Sequence, residues 1–119
     1  MKVTGLLHVA ILVSDLEGAK QFYGGILGLK QKPRPNLDSP GVWYNLGDLE
    51  LHLIVTTRQL LSANERPNKD SHLALAVEDY ELIKRELNDA GVPFRESSAG
   101  APQIFVRDPD GNLIELQRM

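Results

Sequence analysis

The chain writes one short segment twice, and that repetition limits its fold more than any other feature. The first copy, residues 7–15, reads Leu-His-Val-Ala-Ile-Leu-Val-Ser-Asp; the second, residues 71–79, reads Ser-His-Leu-Ala-Leu-Ala-Val-Glu-Asp. His8 and His72, Ala10 and Ala74, Val13 and Val77, and Asp15 and Asp79 coincide at an offset of 64, and Glu17 and Glu81 extend the match. A second echo, at an offset of 63, sets Leu51-His52-Leu53 against Ile114-Glu115-Leu116. Self-similarity of this kind means one supersecondary unit used twice. A length of 119 residues suits both copies within one domain.

Residues 6–13 are few and rich in branched apolar side chains, which predicts a strand. Side chains alternate across a strand, so His8 shares a face with Leu6, Ala10 and Leu12, and Leu7, Val9, Ile11 and Val13 take the other. Ser14-Asp15-Leu16-Glu17 has capping-box spacing with Ser14 as N-cap. The helix after it aligns Leu16, Ala19, Phe22, Tyr23, Ile26 and Leu27 in one apolar stripe, and Gly28 closes it. Residues 29–32 predict a second strand, and Pro33, Pro35 and Ser39-Pro40-Gly41 mark a loop. Residues 42–46 and 49–56 then flank a Gly47-Asp48 turn as a hairpin.

After a polar stretch, 57–70, the pattern restarts. A strand over 71–77 leads to an Asp79-capped helix with Tyr80, Ile83, Leu87 and Ala90 inward, closed by Gly91. Strands follow over 93–96, 103–107 and 113–117, the last two separated by the turn signal Asp108-Pro109-Asp110-Gly111-Asn112. The prediction is an α+β chain of two tandem βαβββ modules, 1–57 and 71–119, joined by a linker at 58–70. Paired, they would form a cupped mixed sheet with helices outside.

Composition narrows the function classes. A net charge of −3 and a pI near 5.5 argue against a nucleic-acid partner. No apolar run approaches the roughly 20 residues of a membrane span, and the N-terminus has no signal-peptide layout. The chain has no cysteine, hence neither disulfides nor thiolate ligands. The expected setting is the cytoplasm.

A lone strand histidine is usually a satisfied polar residue. Here, however, all three histidines sit at repeat-equivalent places, and the fourth such place holds Glu115. Apolar neighbours flank each of them and belong to the opposite strand face. If the modules pair about a pseudo-twofold axis, His8, His52, His72 and Glu115 converge, with Ala10 and Ala74 leaving room. Three imidazoles and a carboxylate suit a divalent Ni, Zn, Co, Mn or Fe ion.

His8-Val-Ala-Ile-Leu-Val-Ser-Asp-Leu16, with Ala19, Phe22-Tyr23 and Leu27-Gly28-Leu29, resembles the opening module of the vicinal oxygen chelate superfamily. Asp108-Pro109-Asp110-Gly111-Asn112 with Ile114-Glu115-Leu116 is similar to its closing signature. The resemblance spans the chain and implies a metal-dependent, glyoxalase I-like lyase or isomerase. Its metal ligands would be His8, His52, His72 and Glu115, with Glu115 also moving a proton. The substrate would be a small, anionic molecule that chelates through two neighbouring oxygens, and the protein would be a homodimer.

Two alternatives stand beside this one. His8, His72 and Glu115 also match the two-histidine, one-carboxylate set of extradiol dioxygenases, and a non-catalytic, bleomycin resistance-type binding protein would use the same cup. At position 52 the glyoxalase pattern has a glutamate and this chain a histidine. Fosfomycin modification ranks lower, because no potassium- or phosphonate-binding insertion is evident. Arg34, Arg58, Arg95 and Arg107 are candidates to hold an anionic tail, and Trp43 and Tyr44 to line the cup.

Overall fold

A computed structural model describes residues 1–56, 71–98 and 100–119. The chain divides into two compact units, Met1–Leu60 and Leu61–Met119. The first runs β1 (His8–Val13), α1 (Leu16–Lys20), a π-helical turn (Gln21–Ile26), β2 (Gln31–Lys32), β3 (Gly41–Leu46) and β4 (Leu49–Val55). The second runs β5 (His72–Val77), α2 (Tyr80–Asp89), β6 (Arg95–Glu96), β7 (Gln103–Arg107) and β8 (Leu113–Arg118). Each is βαβββ, as the repeat predicts. The expected linker, 58–70, lies outside the described residues.

The two sheets have the same strand order, β1-β4-β3-β2 and β5-β8-β7-β6. In each, the first strand runs parallel to the last, and the remaining pairs are antiparallel. The helix between first and second strands supplies the crossover that parallel pairing requires. This topology places the histidine-bearing first strand of each unit beside the strand that carries His52 or Glu115.

Alternation then sorts the side chains. Leu51 and Leu53 of β4 and Val42 and Tyr44 of β3 are buried, together with Ala19, Phe22 and Tyr23 of the helical segment. In the second unit Leu75, Ile104, Val106, Ile114, Leu116 and Leu87 are the corresponding apolar set. These fully buried side chains carry most of the stabilisation, at about 1.5–3 kcal/mol for each large one.

Four local expectations are corrected. The first N-cap is Asp15 rather than Ser14, and its Oδ2 accepts from the Gly18 N–H at 3.2 Å. The helix changes register after one turn and a half: Leu27 N–H donates to the Phe22 carbonyl, five residues back, at 2.9 Å. Two glycines lie in that turn, and a Cβ on Gly24 would stand 3.3 Å from the Tyr44 hydroxyl, a tight contact that glycine avoids. Leu7 lies outside β1 and is 82% exposed, and Ala90 is exposed past the end of α2. Gly28 and Gly91 do close their helices, with φ of 71° and 70°.

Candidate functional site

In the first unit, register gathers a polar face. His8 lies opposite Glu50, Ala10 opposite His52, Trp43 opposite His52, and Lys32 opposite Trp43. The His52 imidazole is packed on both sides: the His8 ring stacks on it at 4.1 Å and 15°, and the Trp43 ring at 4.0 Å and 3°. This packing leaves His52 only 9% exposed. Its Nε2 stands 2.9 Å from Glu50 Oε1, and the other Glu50 oxygen accepts from the Lys32 ammonium. Lys32, and after it His52, holds the Glu50 carboxyl below its ordinary pKa.

In the second unit His72 Nε2 lies 3.3 Å from Glu115 Oε1, and Glu115 is only 6% exposed. Parallel pairing sets Ala74 opposite Glu115, so no bulk separates the carboxylate from the histidine one repeat along β5. The Gln103 amide donates to Glu115 Oε2 at 3.4 Å and to Gln117 at 3.3 Å. Phe105 meets His72 edge-on, with ring centroids 6.1 Å apart.

The turn before β8 is built to hold this strand in register. Asp108 is buried, and its Oδ1 accepts from the Asp110 and Asn112 N–H groups at 2.9 and 2.8 Å, while Oδ2 accepts from the Asn112 amide at 2.9 Å. Gly111 takes φ 89°, the positive value that the turn signal predicts.

The four sequence-predicted ligands therefore come together two by two. Among the described residues, neither unit by itself gathers three histidine, aspartate or glutamate side chains around one point. The two pairs differ in kind. Two donors bound to one ion at about 2.1 Å stand about 3.0 Å apart in an octahedron and about 3.4 Å apart in a tetrahedron. The 3.3 Å separation of His72 and Glu115 fits that range. His8 and His52 are nearly parallel rings, and ring lone pairs lie in the ring plane, so stacking holds theirs in two neighbouring, nearly parallel planes.

Glu50 joins the His52 face although it is not among the expected ligands. The signal was its spacing two residues before His52 on one strand. Of the four arginines, Arg34 lies on this face: a guanidinium nitrogen donates to the Ser39 carbonyl at 2.8 Å and stands 3.1 Å from where a Gly41 Cβ would be. Its Nε is buried without a hydrogen-bond partner among the described residues. Arg107 donates to the Gly111 carbonyl at 2.8 Å, Arg95 is exposed, and Arg58 lies outside the described residues. Tyr44 faces the opposite way, buried, and burial raises the pKa of its hydroxyl.

Tandem βαβββ modules with a histidine opening each and a donor near each end define a protein of the vicinal oxygen chelate type. Residues 5–116 match the profile of the Glyoxalase/Bleomycin resistance protein/Dioxygenase superfamily, and the chain belongs to that superfamily. It is 32% identical to a probable lactoylglutathione lyase of Synechocystis sp., over 93% of this chain and 92% of that one. A glyoxalase family protein from Bacillus anthracis superposes with a TM-score of 0.82 at 27% identity, covering 99% of this chain and 97% of the other. A mutant of the fosfomycin resistance protein FosX from Listeria monocytogenes, complexed with Mn(II) and 1S,2S-dihydroxypropylphosphonic acid, shares the fold. Its TM-score is 0.78 at 20% identity, covering 98% of this chain and 93% of that one.

Proposed function

We propose that the chain is a metal-dependent, glyoxalase I-like lyase or isomerase that acts on a small anionic molecule presenting two neighbouring oxygens. The observation that carries this reading is the His72–Glu115 pair, an imidazole and a carboxylate at ligand spacing on adjacent parallel strands. His8, the repeat-equivalent of His72, is the third donor, and position 52 is the fourth place. A divalent ion held there supplies Lewis acidity toward the substrate oxygens.

The chain's own groups do the rest. Glu115, buried and steadied by Gln103, is the group to take a proton from a carbon beside the substrate carbonyl and return it. Trp43 gives a flat wall beside His52, and Arg34 supplies the positive charge for the substrate's anionic end.

Each unit brings two of the four donors, so the site is completed by pairing one module with another, and we place that pairing in a homodimer. The ligand-bearing strands β1 and β5 each stand at a sheet edge, which is where a second module would add.

Metal analysis of untagged protein by native mass spectrometry, beside an assay of lactoylglutathione lyase activity, tests the reading. About one divalent ion per pair of modules is expected, lost in the His8→Ala, His72→Ala double variant. Full occupancy in that variant would overturn the proposal.

A further inference from the structure

We propose that Glu50 is a positioning residue that locks His52 in the tautomer protonated at Nε2, leaving Nδ1 as that ring's acceptor. Glu50 shares one carboxylate between two neighbours, the Lys32 ammonium and His52 Nε2. One Glu50 oxygen accepts from the ammonium, and a carboxylate accepts hydrogen bonds and donates none. At 2.9 Å the contact to Nε2 is a hydrogen bond, so Nε2 must carry the proton. A neutral imidazole has one donor and one acceptor nitrogen, and the acceptor is then Nδ1.

The stacked neighbours supply the rest of the lock. His8 on one side and Trp43 on the other fix the plane of the His52 ring, and within that plane only two orientations exist, related by a flip. Glu50 selects between them. Packing alone would not, because the ring's outline is nearly the same either way.

The consequence concerns which ligands the face accepts. A ring that spends Nε2 on Glu50 offers its neighbourhood a fixed lone pair rather than a proton. It thus favours a molecule that presents a hydroxyl or another donor toward Nδ1 and disfavours one that presents only acceptors. This makes His52 a determinant of specificity whether or not the face also holds a metal, and Lys32 serves it at one remove by holding the other Glu50 oxygen.

The test uses metal-free, full-length protein with 15N-labelled histidine, near pH 8, where an ordinary imidazole (pKa about 6.5) is neutral. In wild type, the His52 ring should show a slowly exchanging proton coupled to Nε2 and none on Nδ1, with assignment by comparison with His52→Gln. That proton should be lost to rapid exchange in Glu50→Ala and retained in Asn45→Ala, which alters the cross-strand neighbour of Glu50 without touching its bond to His52. A wild-type ring protonated on Nδ1 would overturn the proposal. So would an Nε2 proton that survives in Glu50→Ala, or one that disappears equally in Asn45→Ala.

Discussion

At the scale of single residues, the two polar faces differ in what they have already committed. His72 and Glu115 face one another with 3.3 Å between donor atoms, whereas His52 is held by Glu50 and enclosed by two rings. Replacing Glu115 by glutamine removes the only charge opposing a cation on that pair. Metal affinity should fall by more than about 100-fold, since even outer hydrogen-bond partners of metal ligands are worth roughly 10–100-fold; isothermal titration with Zn(II) reads it. Lys32→Met tests the electrostatics of the other face. With the ammonium gone, the Glu50 carboxyl should titrate closer to its ordinary value of 4.5, followed through its side-chain carbon resonance. The sign is fixed by the depressed pKa: the contact contributes stability above the ordinary value and loses it as pH falls through the folded one.

At the scale of elements, the Asp108 turn and the α2–β6 contact make separate predictions. Asp108→Ala leaves the Asp110 and Asn112 N–H groups without their acceptor. The cost should be about 1–3 kcal/mol in urea unfolding, with β8 the strand most affected. Lys84 bridges Glu81 and Glu96 at 3.2 Å each, and the Tyr80 hydroxyl donates to Glu96 at 2.8 Å, tying α2 to β6. Tyr80 and then Lys84 lower the Glu96 pKa, and Glu96 and then Glu81 raise that of Lys84. The Glu96 contribution is whole above 4.5 and is lost as pH falls through its depressed folded value. The Lys84 contribution is whole below 10.5 and is lost as pH rises through its elevated one. Amide protection factors at the start of α2, taken relative to the intrinsic exchange rate at each pH, should therefore be highest between those limits, and Glu96→Gln should flatten the acid side of that profile.

At the scale of the whole molecule, the proposed homodimer has a consequence that composition or metal content alone would not reveal. If each site takes one module from each protomer, His8→Ala and His72→Ala chains, each unable to hold metal alone, should complement when mixed. Half of the dimers formed by random exchange are mixed, and each mixed dimer has one intact site, so about a quarter of all sites should recover metal. If the modules of one chain serve each other, mixing recovers none. Native mass spectrometry of the exchanged sample distinguishes the two.

The repeat, the alternation of apolar residues and the glycines after each helix determined the two βαβββ modules from sequence, because those signals act over a few residues and are written into each copy. They also placed His8, His72 and Glu115 on the faces opposite the apolar core. Local chemistry was less decisive at the first helix. Ser14 and Asp15 are both able to cap, and the structure uses Asp15; the π turn after it sets Gly24 close to the Tyr44 hydroxyl. The partners of each polar side chain were not legible at all. That Lys32 reaches Glu50, that His8 and Trp43 enclose His52, and that Gln103 steadies Glu115 depend on strand register across residues 18 or more positions apart or on hairpin pairing. Register is set by the packing of the whole sheet, so only the tertiary structure decides which imidazole faces a carboxylate and which lies flat between two rings.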